Sequence, residues 1–553
     1  MRLQARIIII FFLFIACSKI PVLKIDFTAE QPTKFTPQQA FDPARAYHQV
    51  TTHPEIDAYP AISPDGQWIA FASRRSGNMD IWIKSIKGGS AAQLTNHRAD
   101  DIMPAWSPDS RKIVFVSYRE DAAGDLWMVP IKKIRDEFSV TGTPKKLTNY
   151  LGMDVTPAFS PDGKYIAFTS DRDSEQNIYL YQLKDKNIFK LTAIGGIHPS
   201  WSGDGSRIAF VSYQQNPLNR GQIYYVDLSI TTREPIVTSV VQVTSGQSND
   251  AFPCWNPTRD EIYFSRYDHD TNGDGQITPD DKPGLWKAVW EERANRRVIT
   301  EQSGEEKDVN NVNEVTNKQD SHYDFQEIQL IPTFYRDYFP ACGSDSLLYF
   351  VSGRSGNDDI WSIPIDGVIP RQDDGFLQYQ FALNYFPLPA NDLVFKLTGD
   401  SKDIERNLYR LLAFQRVIDF FPAENTWVGW AIYEIGRTYI ALDRLDFAAA
   451  YFQEIVNQYY GYPDLIGKAK LRLFEPGFNN KSLDDQINYL QQVADKFQHQ
   501  YEIAAETQLF KGEVSYLSEN YSQAIESFEQ LIANFPDEQD KCALAQLLIG
   551  EIY

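Results

Sequence analysis

Histidine and cysteine are scarce in this chain, and their scarcity removes whole classes of chemistry: 553 residues hold seven of the first and four of the second. His48, His53, His97, His198, His269, His322 and His499 form no His-x-x-His or His-Glu-x-x-His pair, so the ligand spacing of zinc hydrolases is missing. His198 stands just before Pro199 and reads as a satisfied core or rim histidine, with a channel-facing position as the alternative. No Gly-x-Ser-x-Gly elbow is present to expose a nucleophile, and there is no Walker loop or dinucleotide fingerprint. Beyond Cys17, the cysteines Cys254, Cys342 and Cys542 are odd in number, which excludes a full disulfide framework. Cys254 and Cys342 sit where small core residues are expected. Positive charge is short as well: 53 Lys and Arg face 74 Asp and Glu, a formal net charge of -21. That balance repels phosphates and excludes a general nucleic-acid partner. Ile7–Ile15 is an apolar run too short to span a bilayer comfortably.

What the N-terminus does carry is a short basic stretch with Arg2 and Arg6, the apolar run, and Phe14-Ile15-Ala16-Cys17. This resembles the signal peptide and lipobox of bacterial lipoproteins, with Phe14 departing from the usual Leu; a plain secretory signal is the alternative. The resemblance implies a signal peptide over residues 1–16, lipidation of Cys17 and anchoring to a lipid membrane through several acyl chains. Ser18, by the same resemblance, implies the outer membrane, on the periplasmic side, with surface exposure the alternative. Residues 17–45 lack periodicity and hold Pro21, Pro32, Pro37 and Pro43, as a tether would.

The body of the chain repeats one phrase six times. A Pro and a short lead-in run into Ser-Pro-Asp-Gly or a worn copy of it, then an apolar run, a polar turn and an [Ile/Leu]-[Trp/Tyr] pair. Copies begin at Pro60, Pro104, Pro157, Pro199, Pro253 and Pro340. A period of roughly forty residues with strand-like contents predicts a propeller, one blade per repeat. Outer strands end in Leu-Thr or Val-Thr: Val50-Thr51, Leu94-Thr95, Leu147-Thr148, Leu191-Thr192, Val243-Thr244 and Leu397-Thr398, with Ile328-Gln329-Leu330 a degraded copy. Val50-Thr51 precedes the first inner strand and is expected to complete the last blade and close the ring. The recurring Asp65, Asp109, Asp162 and Asp204 read as turn residues that hydrogen-bond locally. The phrase resembles the TolB-like propeller repeat (the PD40 group) over about residues 46–400, interrupted by insertions at about 266–284, 288–326 and 368–395. The last is rich in aromatics (Phe376, Tyr379, Phe381, Tyr385, Phe386) and is expected to pack against the next domain or cover the channel mouth.

One insertion holds a metal-type motif. Asp270, Asn272, Asp274, Gln276, Thr278 and Asp281 fall at positions 1, 3, 5, 7, 9 and 12 of a twelve-residue loop with Gly275 at position 6, the spacing of a calcium loop. Three side-chain oxygens, the Gln276 carbonyl, Thr278 directly or through water, and Asp281 would hold Ca2+ in a structural role. A hairpin that binds nothing is the alternative.

From residue 401 to 553 the apolar period turns helical. Gly436, Tyr439, Ala448 and Phe452, then Gly512, Ala524, Phe528 and Pro536, recur at matching offsets. They resemble the packing positions of tetratricopeptide repeats, in which Gly and Ala let two helices approach. Phe414 with Pro422, and Ile487, Leu490 and Phe497, resemble worn copies, and the segment from Cys542 to Tyr553 reads as a further first helix cut mid-repeat. The expected fold class is an all-β six-bladed propeller followed by an all-α tetratricopeptide solenoid. The TolB resemblance implies envelope proteins or peptidoglycan-associated lipoproteins as partners. A non-enzymatic, lipid-anchored binding scaffold is therefore expected. A sensory lipoprotein holding a glycan or peptide in its channel, or a lyase or hydrolase built on channel carboxylates, are the alternatives.

Overall fold

The computed structural model describes residues 43–134, 137–214, 216, 218, 220–230, 234–268, 271, 276–278, 280–292, 323–333, 335–388, 401–473 and 482–553. Each repeated phrase is the turn between the first two strands of a four-stranded antiparallel sheet, and six such sheets form the propeller. Blade one runs from its inner strand Asp57–Ile62 through Trp68–Ser73 and Asp80–Ser85 to Ala92–Gln93. The inner strands of the other blades are Asp101–Trp106, Asp154–Phe159, Ile197–Trp201, Asn249–Trp255 and Asp337–Cys342. In blade two the third strand is long and pairs additionally with Glu137–Val140.

The ring closes as the recurring Thr predicts. His48–Gln49 pairs with Asp359–Pro364, His48 opposite Ser362 and Gln49 opposite Trp361, and so supplies the outer strand of blade six. The N–H of Ile360 donates to Thr51 Oγ1 as the N–H of Ile81 donates to Thr95 Oγ1 and that of Ile178 to Thr192 Oγ1. The Leu-Thr ending is thus the hook that fastens each outer strand to the third. Leu397-Thr398 lies outside the described residues. The Asp turns are local as expected: Asp109 Oδ1 accepts from Ser107 Oγ and the Arg111 N–H, and Asp65, Asp162 and Asp204 repeat the arrangement.

Second strands are buried on both faces because each blade lies between two others. Ile69 and Phe71 pack towards Tyr349 and Ile360 of blade six, whereas Ala70 and Ala72 pack towards Ile113 and Phe115 of blade two. One insertion differs from its expected extent. The sheet of blade five continues through Glu292 opposite Tyr323, so the stretch expected as an insertion over 288–326 begins and ends as paired strand. Apolar alternation in Ala288, Trp290 and Phe325 packs against Tyr225 and Trp255, and that burial extends the pairing. The aromatic stretch within 368–395 forms a helix, Gly375–Tyr385 (α1), capped by Asp374 accepting from the Leu377 N–H.

Eight more helices follow among the described residues: α2 Ser401–Phe420, α3 Asn425–Ala441, α4 Leu445–Gln458, α5 Pro463–Arg472, α6 Leu483–Lys496, α7 Tyr501–Leu517, α8 Tyr521–Asn534 and α9 Gln539–Ile552. They stack as successive helical hairpins, consistent with a solenoid. Gly436 on α3 lies against Phe452 on α4, and Gly512 on α7 against Phe528 on α8, the close approaches the spacing predicted. Of the two roles open to the aromatic stretch, α1 takes packing on the next domain. Phe376 and Tyr379 meet Trp427, Tyr379 meets Phe414, and Phe386 stacks on Tyr409.

The helical array is joined to the propeller along α2. Tyr409 donates to the Tyr47 hydroxyl at 3.1 Å, and the Arg354 guanidinium lies over the Tyr47 ring. Burial, opposed by nearby Arg354, pushes the Tyr47 phenol up to about 12. Gln326 donates to the Asp419 carbonyl. The buried Arg416 pairs with Asp419 beside Gly367, where φ is +93° and a Cβ would meet the Leu330 carbonyl at 2.8 Å.

Candidate functional site

At the propeller axis every inner strand makes the same irregular step. The register shifts between the second and fifth residues of the strand, a β-bulge, in blade after blade. The residue before each Pro takes a left-handed backbone: Tyr59, Met103, Thr156, His198, Phe252 and Phe339, all with φ of 53–56°. Non-glycine residues seldom adopt this conformation, and a β-branched Thr least of all. The step turns these six side chains inward, and the following Pro has no N–H to leave unsatisfied at the axis. Six X-Pro pairs, from Tyr59-Pro60 to Phe339-Pro340, line a cavity of ≈ 150 Å³.

The lining is unequal around the ring. Tyr59, Phe339, Phe252 and His198 form a continuous arc, with successive ring centroids 4.5, 4.2 and 4.6 Å apart. Met103 and Thr156 leave the opposite side less filled, and Thr156 shares a hydrogen bond with Thr169. His198 therefore faces the channel, the alternative to the satisfied core or rim position expected, because the bulge rotates it off the sheet. Its Nδ1 is sealed from solvent and has no hydrogen-bond partner among the described residues. Burial pulls the imidazole down to about 4, so it is neutral at pH 7.

Among the described residues no carboxylate lines this cavity. The nearest class of buried acids lies three residues ahead of the Pro, and each is matched. Asp57 pairs with Arg75, Asp101 with Arg119, Asp154 with Arg172, Asp250 with Arg266 and Asp337 with Arg354, at 2.6–2.9 Å. Each Arg also stacks on aromatics of its own blade, as Arg119 does on Phe115 and Trp127. Blade four has Gly196 and Gln214 at the corresponding positions and lacks the pair altogether. These pairs escaped the motif reading, although a separation of 16–18 residues recurs in five blades.

Of the calcium-type residues, Asp270, Asn272 and Asp274 lie outside the described residues, as does Cys17. Gln276, Thr278 and Asp281 are described, between the second and third strands of blade five. The Asp281 carboxylate is buried at the base of the loop and accepts from the N–H groups of Thr271 (2.7 Å) and Thr278 (2.8 Å). Both Asp281 carboxylate oxygens are thus engaged by backbone N–H groups of the described residues. Cys254 and Cys342, expected as separate core residues, are half-buried and face one another. No helix among the described residues is long and apolar enough to cross a membrane.

Comparison with known proteins gives two family matches. Residues 41–137 match the Tricorn protease N-terminal beta propeller domain, and residues 129–239 match the TolB beta propeller domain. An uncharacterized protein of Agrobacterium fabrum is 27% identical over 130 residues, 23% of this chain and 44% of that protein. A TolB homolog of Chlorobium chlorochromatii is 36% identical over 132 residues, 24% of this chain and 27% of that protein. The chain thus spans less than half the length of either relative. Among solved structures, TolB from Acinetobacter baumannii is similar at 19% identity and a TM-score of 0.40, over 55% of this chain and 63% of that one.

Proposed function

We propose that this protein is a non-enzymatic binding platform of the bacterial cell envelope, held to the outer membrane through lipidated Cys17. The propeller mouth takes an apolar segment of an envelope protein, and the helical array offers a second groove. The observation that carries this reading is the channel lining: an aromatic arc without a carboxylate, next to acids already neutralised by arginine. Acid–base catalysis on a glycan needs at least two converging carboxyl groups, and the cavity is smaller than the roughly 300–1,000 Å³ of pockets for drug-sized ligands. An aromatic-rimmed concavity favours side chains of another protein. The TolB-type match over residues 129–239 supports an envelope setting.

A photo-crosslinking residue placed at Met103 or Thr156 in the intact chain, expressed in its own envelope, tests the reading. A discrete protein adduct is expected at these positions and not at exposed Lys87 on the blade-one turn. Equal labelling at all three positions, or none, removes the channel as a binding site. Loss of labelled palmitate on Cys17→Ser checks the anchor independently.

The blade-five loop would hold calcium through Asp270, Asn272, Asp274, the Gln276 carbonyl, Thr278 and Asp281. The ion's charge would brace the insertion, with no part in catalysis. Titration calorimetry on chelator-stripped protein is expected to show calcium heat that disappears in the Asp270→Ala/Asp274→Ala double variant. Absence of heat in the unaltered chain overturns this assignment.

A further inference from the structure

The six blades provide an internal comparison at their seams. Just after the Pro, every inner strand carries a small residue and then a larger one, and the larger residue of one blade packs on the small residue of the blade before it. Trp106 Nε1 donates to the Ala61 carbonyl at 3.0 Å, and Trp201 Nε1 to the Ala158 carbonyl at 3.1 Å. Trp255 N–H donates to Ser200 Oγ, Phe159 packs in one cluster with Ala105, and Ile62 with Ala341. At the seam between blades five and six both positions change together. The small position is Cys254 and the large one Cys342, with their sulfurs 2.9 Å apart and the Cys342 N–H donating to Cys254 Sγ.

A seam that gives up a large apolar residue loses packing, and a lone Cys in place of Trp returns little of it. Two Cys facing one another restore the seam only if they join. At its axial end this seam also joins Phe252 to Phe339, and Lys287 and Arg259 of blade five both reach Asp366, which follows the last strand of blade six. Blade six is also the composite blade, fastened on its outer side by the His48–Gln49 strand.

We propose that Cys254 and Cys342 form a redox pair that closes into a disulfide between blades five and six by exchange with a disulfide donor of the Cys-x-x-Cys oxidase or glutathione type. One protein thiolate attacks a donor sulfur, forms a mixed disulfide and expels one donor thiolate. The second protein thiolate attacks the bonded protein sulfur and expels the other. Two protein thiols are oxidised, one donor disulfide is reduced to two thiols, and the two protons pass to solvent or to the departing thiolates. Burial holds the Cys342 thiol well above the ordinary range, so little of it is thiolate at neutral pH and its own attack is the slow one of the two. Closed, the bond clamps blade six on the side opposite its N-terminal strand.

The test uses the full chain. After exposure to oxidised glutathione and alkylation under denaturing conditions, a non-reducing digest is expected to give one peptide pair joined through Cys254 and Cys342, with Cys542 alkylated. Reduction is expected to lower the thermal midpoint of the oxidised wild type by a few degrees. It should leave Cys254→Ala unmoved; that variant restores the residue that four other blades use. Alkylation of both Cys254 and Cys342 after the oxidant, or pairing of either with Cys542, overturns the proposal. The digest of the wild type decides the matter even where Cys254→Ala fails to fold, and Cys342→Ser is the second control.

Discussion

At the scale of single residues, the buried Asp–Arg pairs and His198 have consequences that can be measured. Removing one partner of a buried pair strands a charge and typically costs about 3–5 kcal/mol, whereas removing both costs far less. Blade four is a natural version of the double removal, with Gly196 and Gln214. Urea denaturation of Arg172→Gln is therefore expected to show a loss of about 3–5 kcal/mol. Asp154→Gly added to it should return part of that stability. His198 gives a pH dependence with a definite sign. The unfolded imidazole takes its proton near 6.5 and the folded one near 4. Its share of stability is complete above about pH 6.5 and is lost as pH falls from there towards 4. Between pH 7 and pH 5 the wild type is expected to lose on the order of 1–2 kcal/mol more than His198→Phe. The turn aspartates were legible in the sequence because their partners are two residues away. Asp57 and Arg75 were not, because they are 18 residues apart and the Asp precedes the repeated phrase. Of the residues before each Pro only His198 drew notice, for the opposite reason: the position differs in almost every blade, so it broke the pattern that defined the repeat.

At the scale of elements, helix pairs and blades differ in what their spacing reveals. Gly512 was legible because its offset to Ala524 and Phe528 copies that of Gly436 to Ala448 and Phe452. Gly467 is the fifth residue of α5 as Gly429 is of α3, and a Cβ there would meet Ile503 on α7 as one on Gly429 would meet Leu465 on α5, a second small position that the sequence reading missed. Gly512→Ala would drive a methyl into the Phe528 ring and is expected to cost about 1–3 kcal/mol by overpacking. Chemical denaturation of the variant beside the wild type checks the loss. The blade-five strands reached further than the sequence indicated because their far ends are stabilised by Trp290 and Phe325 meeting across the pair, a contact between residues 35 positions apart in the chain.

For the whole molecule, the attachment of the helical array depends on a few closely set groups along α2. Gly367→Ala would press a methyl onto the Leu330 carbonyl and the Arg416 guanidinium, 2.8 and 2.9 Å away, and force α2 outward. Calorimetry is expected to resolve two transitions in that variant where the wild type shows one, with propeller and helices unfolding separately; a single unchanged transition would count against a coupled pair of domains. The fold class was legible from repeat period and helical spacing. The joint was not, because Tyr47, Gln326 and Tyr409 come from stretches that no repeat connects.

The outer strand of blade six has a further consequence, for synthesis. Gln49 Nε2 bonds to Asp359, 310 residues later in the chain. At translation rates of about 5–20 residues per second the strand leaves the ribosome roughly 15–60 s before its partner exists. Throughout that interval His48–Gln49 has no sheet to join and blade one has an open flank. Protection of the nascent chain over this stretch, and the order in which the closing strand and α2 then arrive at Arg354, would decide the yield of native protein more than the stability of any single blade.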